Sequence, residues 1–215
     1  MFQYLIDKID QAPIKKYPHD HIIINNFLNE EHYETLKNAF EECDWNDIKS
    51  KWKMHSNGEY NHCYRSKTPG ENRTSSSLIK SNPWPAHIWA FVKSSEWYNA
   101  IAEKLQADNC ADDVKFNSAF YWDQPEHFIN VHTDTYGHTG SILQFSLFCP
   151  DLDYPEYSTA LHSDEDGSDT VEYPMKRNTF MLYGVDATTA WHSTRPGDRI
   201  RKSWLVRYRP LDHIS

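Results

Sequence analysis

Residues 21–27 read His-Ile-Ile-Ile-Asn-Asn-Phe, and three consecutive β-branched apolar residues mark a buried strand. The pattern then changes period. Asn29 is placed to cap a helix, Glu30 and Glu31 favour its first turn, and Tyr33, Leu36 and Phe40 give one apolar face as far as about Cys43. Residues 1–20 mix polar and apolar positions and are expected at the periphery. From 46 to 82 no period is sustained, and Lys, Ser, Asn, Gly and Thr dominate. Such a segment is read as a lid or substrate-binding loop, with a plain surface excursion as the alternative. Pro83-Trp-Pro85 breaks the chain and starts a helix at Ala86. Ser94 or Ser95 caps a further one, carrying Trp97, Ile101 and Leu105 at four-residue spacing.

From Val114 onward the period becomes that of strands. Residues 115–122 alternate, 129–132 are short and apolar, and 141–149 are long and apolar. Residues 150–171 read as an acidic, irregular connection. Strands are expected again over 179–183, from Trp191 and over 201–208. Many short strands with polar turns indicate a sandwich or barrel. Helices first and strands after give an α+β chain, helices followed by a jelly roll. One domain, 1–215, is expected, divided into an N-terminal part (1–110) and a strand-rich core (111–215).

Composition narrows the function. A chain of 215 residues buries a core without staples. The net charge of -9 argues against a basic nucleic-acid surface. Cys43, Cys63, Cys110 and Cys149 are far apart and form no Cys-x-x-Cys pair, so reduced thiols and a cytoplasmic setting are expected. No stretch has the length and apolarity of a membrane span or signal peptide, and no membrane partner is expected.

The candidate chemistry lies in residues 128–134, Phe-Ile-Asn-Val-His-Thr-Asp. In an extended strand His132 and Asp134 share a face. His192, in Ala-Trp-His-Ser-Thr-Arg, is the best candidate for a third ligand. Two histidines and one carboxylate leave positions open on iron(II), as in non-haem oxygenases. With 12 histidines in the chain, a His-x-Asp triplet arises about once by chance, and a second exists at His162-Ser-Asp164. The flanks favour the first: His132 sits among apolar runs, whereas His162 adjoins Ser-Asp-Glu-Asp-Gly-Ser and reads as part of a solvated acidic loop.

His132-Thr-Asp134, a distal His192 and a basic residue about ten positions on, within Ile-Arg201-Lys-Ser-Trp, resemble the 2-oxoglutarate and iron(II)-dependent dioxygenases. The prolyl 4-hydroxylase branch is the nearest in pattern. Its tyrosine-bearing strand before His-x-Asp resembles Phe120-Tyr121-Trp122, and its lead-in strand and helix resemble Ile-Ile-Ile-Asn-Asn-Phe-Leu-Asn-Glu-Glu. The Gly-rich turn common before His-x-Asp is replaced here by Asp123-Gln-Pro-Glu-His. The resemblance implies a double-stranded β-helix, and iron(II) held by His132, Asp134 and His192. It further implies 2-oxoglutarate contacted by Arg201, Tyr121 and Ser203, dioxygen as co-substrate and ascorbate as a candidate reductant. The implied reaction is hydroxylation of a C–H bond of a protein side chain, prolyl included, or of a small molecule, yielding succinate and carbon dioxide.

The C-terminal strand offers Arg199, Arg201, Lys202 and Arg207 for the far carboxylate of 2-oxoglutarate. Alternation puts Arg201, Ser203, Leu205 and Arg207 on one face and Lys202, Trp204 and Val206 on the other. In the resembling family a small residue follows the basic one by two positions, which fits Arg201 with Ser203. Lys202 is second, and Arg199, next to Pro-Gly-Asp, is expected to face solvent. Two rival readings keep the fold: a zinc hydrolase using the same triad, and a jelly-roll metal-binding module without turnover.

Overall fold

The computed structural model describes residues 2–41, 60–61, 64–67, 83–107, 114–123, 125, 127–134, 142–148, 154–185, 190–195 and 197–210. The four cysteines and most of the 46–82 segment lie outside these residues.

Helix α1 (Gln3–Gln11) corrects the expectation of a peripheral N-terminus. Phe2, Leu5, Ile6 and Ile9 recur at helical spacing, and all four are buried. Strand β1 (His21–Ile24) leads into helix α2 (Glu30–Glu41). The backbone N–H of His32 donates to Asn29 Oδ1 at 2.8 Å, so Asn29 is the cap that the sequence suggested. Helix α3 (Pro83–Val92) starts at Pro83 rather than Ala86. Helix α4 (Ser95–Leu105) is capped by Ser94, whose side chain accepts from Trp97 N–H.

Two short strands, β2 (Tyr60–Asn61) and β3 (Tyr64–Lys67), fall within the stretch read as irregular. They are too short for a period to show. Then follow β4 (Val114–Asp123), β5 (Phe128–His132), β6 (Ile142–Phe148), β7 (Tyr154–His162), β8 (Thr170–Met175), β9 (Thr179–Val185), β10 (Trp191–Thr194) and β11 (Arg201–Pro210). Strands β7 and β8 replace the irregular connection expected over 150–171. Pro155 and Pro174 obscured them. Pro174 is tolerated because β8 is an edge strand, where a missing donor faces away from the ladder.

The strands form two antiparallel sheets, a six-stranded one in the order β1-β9-β6-β11-β4-β3 and a five-stranded one in the order β2-β5-β10-β7-β8. This is an α+β fold, a double-stranded β-helix (jelly roll) with N-terminal supporting helices. Strand β11 fixes its two faces. Trp204 pairs with Phe120 on β4 and Leu147 on β6, and this face meets the helices. Trp97 of α4 sits in that core, its ring 5.9 Å from Phe145 and 6.1 Å from Phe180. The opposite face of β11, with Ser203, Leu205 and Arg207, looks into the space between the sheets.

Asn178 ties the helical layer to the strands. Its φ of 54° is left-handed, and its buried side chain donates to Leu28 O at 2.8 Å and accepts from Leu28 N at 2.9 Å. Asn178→Ala is expected to cost about 3 kcal/mol: roughly 1–2 for a left-handed alanine and roughly 1–3 for the stranded Leu28 groups. Thermal or urea unfolding checks it, and a loss comparable to an exposed substitution would refute this account.

Candidate metal centre

Strands β5 and β10 are antiparallel neighbours, and His132 pairs directly with His192 across them. Their rings lie 4.3 Å apart between centroids. Asp134 follows two residues after His132 on the same side. Its Oδ1 lies 3.8 Å from His132 Nε2 and its Oδ2 lies 3.5 Å from His192 Nε2. One ligand atom from each residue falls within 4.8 Å of the others.

The hydrogen bonds decide which nitrogens face inward. His132 Nδ1 bonds Asn130 O at 2.8 Å and His192 Nδ1 bonds Ala190 O at 3.1 Å. A carbonyl only accepts, so each Nδ1 carries a proton and each Nε2 is the nitrogen turned toward Asp134. Burial, then the neighbouring His192, pushes the His132 pKa down to about 4, which keeps that ring neutral near pH 7. For Asp134, burial opposes ionisation, but the Arg207 guanidinium beside it favours the charged form and holds the carboxyl below its usual range. Asp134 is 1% exposed, and its Oδ1 has no hydrogen-bond partner. Three lone-pair donors converging on one point, one of them an orphaned buried carboxylate oxygen, fit a cation and little else. The donor set of two imidazoles and a carboxylate suits iron(II).

These residues open onto a cavity of about 1170 Å³ between the sheets, which also contains Tyr121, Arg201, Ser203 and Arg207. Arg201 is buried. It donates from Nη1 to Thr194 Oγ1 and from Nη2 to Thr159 Oγ1, both at 3.2 Å, and its guanidinium lies over the Phe148 ring. Its Nε lies 3.6 Å from Asp123 Oδ2 and makes no hydrogen bond. Ser203 and Tyr121 pair across β11 and β4 on the same face.

Lys202, the second candidate, is on the opposite face and is paired with Glu41 of α2. Lys202→Ala is therefore expected to leave binding of an anion in the cavity unchanged, and a weakened affinity would show that the face assignment is wrong. Arg199 is more than half exposed, as expected.

The second His-x-Asp triplet is split. His162 is not in a solvated loop: it ends β7, fully buried, with Nε2 on Ser193 Oγ and Nδ1 on Thr170 Oγ1, both at 2.8 Å. Asp164 closes an exposed turn onto Ser168 at 2.6 Å. The acidic residues that follow His162 suggested a loop, but its side chain packs beneath that turn.

Sequence reasoning missed Gln144, Tyr183 and the role of Arg207. Arg207 Nη2 donates to Asp134 Oδ2 at 2.7 Å and its Nε donates to Gln144 Oε1. Its place on the Arg201 face was the available signal. Asp123 and His127, in the segment that replaces the Gly-rich turn, are both buried and line the cavity.

No family model and no curated protein matches this sequence. Solved structures do match. A Pseudomonas putida prolyl-4-hydroxylase is 13% identical, with 98% of this chain and 99% of that chain covered and a TM-score of 0.58. A prolyl hydroxylase from Trichoplax adhaerens, solved with a peptide of the hypoxia inducible factor oxygen degradation domain, is 11% identical over 97% of this chain and 88% of that one, TM-score 0.57. A non-heme alpha-ketoglutarate-dependent epimerase from nogalamycin biosynthesis is 10% identical over 97% and 83%, TM-score 0.54. At these identities the likeness is one of fold.

Proposed function

We propose that this chain is an iron(II)- and 2-oxoglutarate-dependent dioxygenase that hydroxylates a C–H bond. The observation that carries the reading is the convergence of His132, His192 and Asp134, whose Oδ1 has no hydrogen-bond partner, in a cavity that also holds a buried arginine. The fold shared with 2-oxo-acid-dependent enzymes supports it. Iron(II) bound there, with 2-oxoglutarate and dioxygen, supplies oxidative decarboxylation to succinate and carbon dioxide coupled to insertion of the second oxygen atom into the substrate C–H bond.

The chain's own part is placement. The Asn130 and Ala190 carbonyls hold both imidazoles in the metal-binding tautomer. Arg201, with Thr159 and Thr194, offers a fixed fork for the far carboxylate of 2-oxoglutarate, with Tyr121 and Ser203 beside it. The two sheets wall this end from water. The substrate is a protein side chain, prolyl by analogy with the peptide-bound neighbour, or a small molecule, and ascorbate would serve as reductant.

The test is anaerobic addition of 2-oxoglutarate to iron(II)-loaded protein. A visible charge-transfer band, followed by succinate formation on admitting oxygen, is expected. No band and no succinate, together with water-driven hydrolysis after zinc loading, would instead establish the hydrolase reading.

A further inference from the structure

The geometry points to Arg207 as a positioning residue for Asp134: it grips Oδ2 and so holds the carboxylate against the two imidazoles, with Oδ1 left without a hydrogen-bond partner. The inference rests on the metal-site reading above. Arg207 and Arg201 share a strand face but stand six residues apart, roughly 20 Å along the strand. They serve different ends of the cavity. The Arg207 side chain reaches Asp134 Oδ2 at 2.7 Å, whereas Arg201 reaches Thr159 and Thr194.

Arg207 is itself fixed. Its Nε donates to Gln144 Oε1, which commits the amide nitrogen of Gln144 to the other side, where it meets the Tyr183 hydroxyl at 2.5 Å. Tyr183 is buried, and its ring lies 5.3 Å from that of His192. The chain Asp134–Arg207–Gln144–Tyr183 thus begins on one ligand and ends against another. The grip of Arg207 on Oδ2, braced by Gln144, restrains how the carboxylate can turn.

Two effects oppose each other. The guanidinium charge repels a metal cation nearby. The tether keeps a buried carboxylate aimed at a point where two lone pairs already face it; without the tether Asp134 rotates away from the His192 Nε2 lone pair 3.5 Å from Oδ2. Outer partners of this kind are worth roughly 10–100-fold in metal affinity, so orientation is expected to win.

The experiment is calorimetric titration of the metal-free chain with Mn(II), an oxygen-stable probe. Arg207→Met should weaken binding roughly 10–100-fold. Arg207→Lys should restore little of it, because one ammonium cannot hold Asp134 and Gln144 together in fixed geometry. Gln144→Leu, which leaves the charge in place, should give a smaller loss in the same direction, and it carries the test if Arg207→Met does not fold. Binding by Arg207→Met as tight as wild type, or full rescue by lysine, overturns the positioning role. Undiminished binding by Asp134→Ala would instead mean that the metal-site reading has failed.

Discussion

Under the proposed function, His132→Ala, Asp134→Ala and His192→Ala are each expected to abolish iron-dependent succinate formation, with losses beyond the roughly 100-fold that changes to outer partners bring. Each removes one of three donors that the sheet holds within 4.8 Å of one another. Two remaining donors leave the cation exposed to water exchange and unable to keep a fixed set of open positions. The losses should follow metal content: Mn(II) titration of the three variants falls along with activity. The histidine variants also remove a hydrogen-bond partner of the Asn130 or Ala190 carbonyl. His162→Ala is the contrasting case. It removes a buried ring bonded to Ser193 and Thr170 and so lowers the melting temperature, while metal binding by the folded fraction persists. If His162→Ala lost metal binding and His132→Ala kept it, the wrong triplet would have been chosen.

The parts of the fold that were legible in the sequence are those where local pattern and tertiary role agree. The run of β-branched residues before Asn25 forms β1, Asn29 caps α2, and Ser94 caps α4, because each signal acts within a few residues of itself. The alternation of β11 was legible for the same reason, and it separates Arg201 from Lys202. Strands β7 and β8 were not legible. Their prolines and the acidic turn between them read as loop; pairing with each other and, for β7, with the distant β10 turns those residues into strand. Helix α1 was legible in principle, since Phe2, Leu5, Ile6 and Ile9 keep a helical period. The network behind Asp134 could not have been read, because Gln144, Tyr183 and Arg207 come from three strands and carry no motif. Their meeting is a property of register, in which Gln144 pairs with Tyr183 on one side and Arg207 on the other.

Under the proposed function, Arg201→Ala is expected to raise the KM for 2-oxoglutarate about 100-fold or more while Mn(II) binding is retained, because a buried charge pair loses one partner at a cost of about 3 kcal/mol or more. The far carboxylate of 2-oxoglutarate must leave water to enter a cavity between two sheets, and an anion buried there needs a fixed cation. Arg201 meets that need. It is 7% exposed, its fork is held by two threonine hydroxyls and the Phe148 ring, and its Nε makes no hydrogen bond. A guanidinium buried with an unused donor is poised for an anion rather than built for stability. Asp123, 3.6 Å from Nε, offsets part of the charge, so Arg201→Ala also takes one charge partner from a buried carboxylate. Loss of folding is separated from loss of affinity by the double variant Arg201→Ala with Asp123→Asn, which removes both charges. Its melting temperature should recover toward wild type while the KM stays high. Lys202→Ala, on the helix side of the same strand, changes neither quantity. A double variant with wild-type KM would show that the far carboxylate is held elsewhere.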